Sequence, residues 1–157
     1  MNIQEATIND IEILATHHRK MFEEIWEGKN LSMKESRARE LEAAYREKIT
    51  KQIPEGICFA WVVKDKIKTV ASGAITIVSL VPVPSDFNHK VAYLHSMYTE
   101  KAHRNKKYAQ KIVDRAIKYC QLNGISRVIL NASDAGRPIY EKMGFVTSPE
   151  TMRLFIK

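Results

Sequence analysis

Basic side chains are concentrated where a predicted strand ending at Thr99 meets a predicted helix that begins just after Arg104. From Lys101 to Lys118 there are seven Lys or Arg residues against one Asp, so this stretch alone carries 7 − 1 = +6 of the formal charge of +7. A helix N-terminus adds unpaired backbone N–H groups and the positive end of the helix dipole, which suit an anion such as pyrophosphate. The charge alone also fits nucleic acid, an acidic membrane surface or a solvated surface turn.

A second segment, Leu130–Phe145, contains side chains that could take part in chemistry. It begins as a strand, continues into a helix with Ser133 and Asp134 before it and Pro138 in its first turn, and stops at Gly144. These are ordinary helix boundary signals, so a well-capped short helix in which Tyr140 merely packs is the simpler structural interpretation.

Hydrophobic periodicity predicts the elements that position these two segments. The predicted elements are a strand at 3–6, helices at about 9–28 and 33–52, strands at 58–63, 70–83 and 91–99, the basic-turn helix ending near Gly124, a strand at 127–131, a helix at 136–143, and one or two closing strands within 145–156. The order β-α-α-β-β-β-α-β-α-β-(β) describes an α/β fold with a central mixed, twisted sheet of about six to seven strands and four helices. The strands at 91–99 and 127–131 should be parallel, joined by a right-handed crossover.

The composition is that of one soluble globular domain over residues 1–157. Apolar residues make up 45% and charged residues 27%, and no apolar run approaches the roughly 20 residues of a membrane-spanning helix. The N-terminal residues lack a basic start followed by an apolar core, so we expect no signal peptide, no membrane association and a cytoplasmic location. Cys58 and Cys120 lie in separate apolar segments without metal-ligand spacing, so we expect two buried thiols and no metal site.

Together the two segments resemble the GNAT superfamily of N-acetyltransferases, and the predicted element order matches that fold over nearly the whole chain. The family's acyl-CoA signature runs Arg/Gln-x-x-Gly-x-Gly/Ala, and here the corresponding residues are Arg104-Asn-Lys-Lys-Tyr-Ala109. The later Tyr140-Glu-Lys-Met-Gly-Phe145 is the more specific match. The first segment departs from the pattern because Lys107 replaces the middle glycine and Asn105 stands where glycine is common.

The resemblance implies acetyl-CoA as cosubstrate and assigns residues to its binding. Backbone groups of Met97, Tyr98 and Thr99 would bind the pantetheine arm as though it were another strand. The pyrophosphate would lie against the backbone amides from Asn105 to Gln110. The remaining residues of the cofactor set are Arg104, Lys106, Lys107, Tyr108, Ala109, Asn131, Ser133 and Arg137.

The implied reaction is attack of a neutral primary amine on the thioester, with a proton passing to the leaving thiolate. Tyr140 matches the tyrosine that the family uses as general acid, since a phenol with a pKa near ~10 stays protonated at neutral pH. His95, Glu100 and His103 lie near this strand as candidate bases, and His95 is preferred because it precedes the cofactor-binding residues and has an unperturbed pKa of ~6.5, with water-mediated proton removal as the alternative. His17 and His18 are adjacent on a helix and are interpreted as one surface and one core residue, not as metal ligands.

The acceptor amine is left open between a small molecule, a peptide N-terminus and a lysine. Glu23, Glu24 and Trp26 could line a site for a cationic amine, because the family's first two helices shape the acceptor pocket. Two other functions remain open: a catalytically silent acyl-CoA-binding module, and a nucleic-acid- or ribosome-associated acetyltransferase. Few aromatic residues interleave the basic charges, so nucleic acid is not the expected partner. A homodimer is one option for the oligomeric state.

Overall fold

The computed structural model describes all 157 residues and contains four α-helices and five β-strands. In chain order the elements are β1 (Asn2–Glu5), α1 (Ile11–Gly28), α2 (Glu35–Gln52), β2 (Cys58–Asp65), β3 (Lys68–Ser79), β4 (Lys90–Thr99), α3 (Tyr108–Leu122), β5 (Val128–Leu130) and α4 (Arg137–Lys142), with 3-10 turns at Ile8–Asp10 and Lys101–His103. The helix after the basic turn therefore begins at Tyr108, because the 3-10 turn and a short loop occupy the residues that follow Thr99.

The strands form one mixed sheet in the order β1-β2-β3-β4-β5. The pairs β1–β2, β2–β3 and β3–β4 are antiparallel, whereas β4 and β5 are parallel, which confirms that the strands predicted at 91–99 and 127–131 run in parallel.

The sheet has five strands, so the prediction of six or seven is not confirmed. Residues 145–157 contain no strand, and no backbone hydrogen bond joins residues 146–157 to the rest of the chain. Their exposed apolar residues are Val146, Met152, Leu154, Phe155 and Ile156. Strand propensity predicts strands here, but a strand also requires a neighbouring strand as partner, and this segment has none.

Apolar side chains cover both faces of the sheet. Cys58, Ala60 and Val62 of β2 pack beneath α1 and α2, whereas Trp61 and Val63 pack with α3 on the other face. Burial on both faces explains the nearly continuous apolar runs of β2 and β3.

Three further observations concern the helix cap, the cysteines and the apolar character of the helices. The 3-10 turn that leads into α1 is capped by Thr7 and Asp10: the Asp10 carboxylate accepts from the Thr7 N–H, and the Thr7 hydroxyl accepts from the Asn9 N–H. Asn9 and Glu12 have the spacing of a capping box but do not form one. Both cysteines are buried free thiols. None of the helices combines the length and apolar character that crossing a bilayer requires.

Candidate functional site

The carboxyl-terminal half of β4 has an open edge. β5 pairs with β4 only over Ala92–Leu94, so residues 95–99 have no strand on that side. On its other side, the pairing of β4 with β3 is interrupted by a bulge at Ser96, whose φ is 57°. Met97, Tyr98 and Thr99, the predicted pantetheine-binding residues, therefore lie on an edge that can accept an extended ligand.

Gly73 lies in β3 opposite this bulge and leaves space for Met97. A Cβ atom at position 73 would overlap the Met97 side chain and approach Ile112 Cγ2 to 2.9 Å. Because Gly73 has no side chain, Met97 at the bulge can pack closely against the first turns of α3.

The residues leading into α3 form a set of unbonded backbone donors that we call the amide cradle, residues 105–110. Asn105 and Lys107 both have left-handed backbone conformations, with φ of 63° and 61°. None of the six N–H groups of residues 105–110 donates a hydrogen bond, and no side chain caps α3. Left-handed residues just before a helix N-terminus can turn neighbouring backbone N–H groups towards a bound anion.

The cradle side chains differ in their environment. Lys106, Lys107 and Gln110 are exposed and make no side-chain hydrogen bond, Ala109 is half-buried, and Tyr108 is buried with its hydroxyl against Met1 Sδ. Ala109 preserves the small residue expected at that position. The exposed lysines add positive charge beside the backbone donors without blocking them.

Arg104 forms an ion pair with Glu24 of α1. Its Nε donates to the Thr99 carbonyl at 2.9 Å, and its terminal nitrogen donates to both carboxylate oxygens of Glu24 at 2.9 and 2.7 Å. The guanidinium also lies over the Tyr98 ring, and the Tyr98 hydroxyl donates to Glu24 at 3.1 Å. Burial and then the Glu24 charge raise the pKa of Tyr98 to about 12. Arg104 therefore links the turn after β4 to Glu24 of α1, and its role in binding the cofactor stays a prediction.

Tyr140 is half-buried on α4, at the edge of the α3-side core. Its ring packs edge-on against Phe145 at 5.7 Å between centroids, and its hydroxyl makes no hydrogen bond. Burial raises the pKa of Tyr140 to about 12. The phenol therefore remains a proton donor throughout the neutral range.

The three remaining predicted cofactor residues lie at the end of β5 and the start of α4. Asn131 Nδ2 donates to the Tyr93 hydroxyl at 3.0 Å, which joins β5 to β4 below the open edge. Ser133 Oγ accepts from the Gly136 N–H at 3.2 Å, and Arg137 donates to Thr147 Oγ1 at 3.2 Å. Ser133 thus has a structural role in the turn, while Arg137 is exposed beside it.

His95 lies on the α2-facing side of β4, with both ring nitrogens engaged. Nε2 is 2.7 Å from Thr76 Oγ1 and Nδ1 is 2.8 Å from Ser96 Oγ. Desolvation, followed by the positive charge of Lys48, lowers the pKa of His95 to about 3. A neutral imidazole with both nitrogens bonded cannot contact an amine directly.

Both histidines of α1 face the sheet, so the interpretation of one as a surface residue is wrong. His17 is fully buried, with Nδ1 2.7 Å from Ser72 Oγ, and His18 is half-buried, with Nδ1 2.7 Å from Ser96 Oγ. They follow Leu14 by three and four residues, the spacing at which helix side chains share a face. Burial is the main cause that lowers the pKa of each to about 4.

The glutamates suggested for the acceptor lie in a cleft of about 460 Å³ at the carboxyl end of β4. Glu23 and Glu24 line it together with Glu27 and Glu100, whereas Trp26 does not. Three of these glutamates form ion pairs: Glu24 with Arg104, Glu23 with Arg19, and Glu100 with Lys20 at 2.7 Å. The cleft is therefore nearly balanced in charge. No cluster of three or more His, Cys, Asp or Glu side chains could hold a metal ion.

Comparison with known proteins identifies the family. The model of the acetyltransferase (GNAT) family matches residues 18–145, which is most of the chain. The protein belongs to the acetyltransferase (GNAT) family. A search of curated proteins found no significant match.

Solved structures share the whole fold at low sequence identity. A predicted acetyltransferase from Clostridium acetobutylicum, solved with acetyl-CoA, is 22% identical with a TM-score of 0.83, covering 98% of this chain and 95% of its own. A GCN5-related N-acetyltransferase from Ralstonia eutropha is 22% identical with a TM-score of 0.87, over 98% and 97% of the chains. Glucosamine-6-phosphate N-acetyltransferase from Arabidopsis thaliana is 20% identical with a TM-score of 0.63, over 99% and 98%.

Proposed function

We propose that the protein transfers an acetyl group from acetyl-CoA to a primary amine. The observation that carries the proposal is the amide cradle, six backbone N–H groups without acceptors at the N-terminus of α3, beside the open half of β4. These donors at the N-terminus of a helix are open to a ligand, and a diphosphate would satisfy several of them at once. The residues present therefore fit acetyl-CoA.

The open half of β4 would bind the remainder of the cosubstrate. Backbone groups of Met97, Tyr98 and Thr99 can pair with the amides of a pantetheine arm, as a strand edge pairs with a peptide. Acetyl-CoA supplies the reactive thioester. The backbone N–H groups near the Ser96 bulge are suited to stabilise negative charge on the thioester oxygen, because they are fixed before the substrate arrives.

Tyr140 is the proposed proton donor to the departing thiolate. Its hydroxyl has no hydrogen bond in the protein, and burial keeps it protonated. A neutral phenol can donate a hydrogen bond to the sulfur as negative charge develops there.

The test is binding and turnover measured on the same preparation. Calorimetry with acetyl-CoA should show one site per chain, and release of free CoA thiol should depend on an added primary amine. Binding without thiol release across a broad panel of small amines, peptide N-termini and lysine peptides would instead indicate the silent acyl-CoA-binding module. Absence of binding would refute the proposal.

The basic surface offers a separate check. If it serves the cosubstrate, acetyl-CoA should compete with any RNA bound by the protein. Steeply salt-dependent RNA binding that survives saturation with CoA would instead favour a nucleic-acid-associated role.

A further inference from the structure

One segment of the chain is exposed along its whole length. Residues 151–157 make no hydrogen bond, and every one of them is exposed. A hydrogen bond from Arg137 to Thr147 Oγ1 holds the preceding residues beside the start of α4, and only residues 148–150 separate this contact from the segment. We call residues 151–157 the exposed segment.

The exposed segment has the side-chain pattern of a strand that is covered on both faces. Met152, Leu154 and Ile156 alternate with other residues, so a strand would place them on one face and Phe155 on the opposite face. The exposed fractions of these four side chains lie between 75% and 93%. A contiguous run of exposed apolar side chains on a folded protein marks an interaction site.

The outer edge of β5 is a free strand edge. β5 is the last strand of the sheet, and it pairs only with β4. It consists of Val128, Ile129 and Leu130, and it therefore lacks the charged residues and prolines that usually protect an edge strand. At the opposite edge of the sheet, β1 ends in the polar residues Gln4 and Glu5. Of the two edges, β5 is the one suited to accept an apolar strand.

The core on the α3 side of the sheet is incomplete next to β5. Five apolar residues of β5, α4 and the turn after α4 pack against this core but are only partly buried: Val128, Leu130, Tyr140, Met143 and Phe145. On the other face of β5, Ile129 is 38% exposed. A strand beside β5 would cover both sets if it carried several apolar residues on one face and one on the other. The exposed segment has this composition.

We propose that two copies of this chain pair by reciprocal exchange, in which the exposed segment of each copy adds as a strand to the outer edge of β5 of the other copy. The exposed segment does not pair with its own β5, so each copy has one free strand and one free edge. A two-fold arrangement satisfies both at once. Main-chain hydrogen bonds would join the strand to the edge, as in other strand additions to a sheet. This inference does not depend on acetyl transfer.

The apolar area and the reach of the exposed segment are sufficient for a stable dimer. At roughly 150 Å² for each large apolar side chain, the two segments would together bury on the order of 1,000 Å², before the surfaces beneath them are counted. Specific interfaces bury about 1,200–2,000 Å² counted on both partners. The residues that follow Thr147 span up to about 33 Å when extended, which allows the segment to cross to a neighbouring copy.

The test is the molar mass of the full chain, measured by sedimentation over about a hundredfold range of concentration. The wild type should be a dimer that dissociates on dilution. Leu154→Glu places a charge on the face that would be buried against β5, and it should raise the dissociation constant of the dimer about a hundredfold. Ile67→Glu is the matched control, at a residue that is 97% exposed in the β2–β3 turn, and it should leave this constant unchanged. Both residues are exposed in the single chain, so neither change should prevent folding.

Hydrogen exchange on the same proteins shows which strands are paired. Amides of residues 152–156 and of β5 should be protected in the dimer, and those of residues 152–156 should lose protection in Leu154→Glu. A monomeric wild type would overturn the proposal: protection of the exposed segment would then indicate pairing with its own β5, and its absence would indicate no pairing. A dimer that persists in Leu154→Glu, or that is weakened equally by Ile67→Glu, would also overturn it, because the exposed segment would not form the interface.

Discussion

Asn105 and Lys107, which are separated by one residue, both adopt left-handed backbone conformations, with φ of 63° and 61°. These are the two positions at which the sequence lacks the glycines of the acyl-CoA signature. The two residues thus adopt the left-handed conformation that glycine would adopt without strain. Asparagine tolerates this region well, whereas for lysine it costs roughly 1–2 kcal/mol.

Replacing Lys107 by Gly should relieve this cost. Because glycine also gains freedom in the unfolded chain, the net effect should be from neutral to about 1 kcal/mol of added stability, read from urea unfolding. Lys106→Gly is the matched control, since Lys106 has no left-handed backbone, and it should lose about 0.5–1 kcal/mol. Equal destabilisation by both changes would contradict the strain assigned to Lys107.

Reversal of charge at the amide cradle should weaken acetyl-CoA binding. Lys106→Glu places a negative charge beside the pyrophosphate site and should raise the Kd about tenfold, or ~1.4 kcal/mol, in low salt. Lys118→Glu makes the same change about 15 Å further along α3, beyond the screening length at physiological salt, and should shift the Kd less than about twofold. A similar loss in both variants would point to general charge attraction and against a site at the cradle.

Tyr140→Phe should lower kcat by about a hundredfold at unchanged affinity for acetyl-CoA, since it removes only the proton donor. Tyr119→Phe on α3 makes the same chemical change in a ring that packs on Phe59, and should leave kcat unchanged. Because burial raises the pKa of Tyr140 to about 12, its ionisation should not limit the rate below about pH 11. A Tyr140→Phe enzyme with full activity would remove the residue from the mechanism.

Gly73→Ala should destabilise the protein by about 1–3 kcal/mol, because the added methyl group overlaps Met97 and crowds Ile112. The same crowding should disturb the β4 bulge and weaken acetyl-CoA binding. Gly28→Ala, where a Cβ meets nothing within 4 Å, should be neutral or slightly stabilising. Thermal unfolding and calorimetry on the two variants separate these outcomes.

The buried histidines should make the protein sensitive to acid. His17, His18 and His95 have folded pKa values of about 4, 4 and 3, below the unfolded value near 6.5. As the pH falls below 6.5 the unfolded state binds more protons than the folded state, so stability is lost with falling pH. The loss between pH 6.5 and 5 should be on the order of 1–2 kcal/mol per histidine. A His17→Gln variant should show a shallower slope of unfolding free energy against pH, whereas a slope equal to that of the wild type would show that His17 is not the source.

Much of the functional region was predictable from local sequence. Helical and strand periodicity gave the four helices, the antiparallel pair of β2 and β3, and the parallel crossover through α3. The motifs at Arg104–Ala109 and Tyr140–Phe145 indicated the family that the comparison confirmed. These features can be predicted from the sequence because they depend on residues that are close together in the chain.

Contacts between distant residues were decided only by the tertiary structure. Sequence could not show that His17 and His18 both face the sheet, that His95 is enclosed by Thr76 and Ser96, or that Arg104 is held by Glu24, because each depends on partners far along the chain. The closing strands failed as predictions for the same reason. A segment can have strand propensity by itself, but a strand exists only when another strand lies beside it. The open edge of β4, on which the proposed function depends, is likewise a property of the assembled sheet.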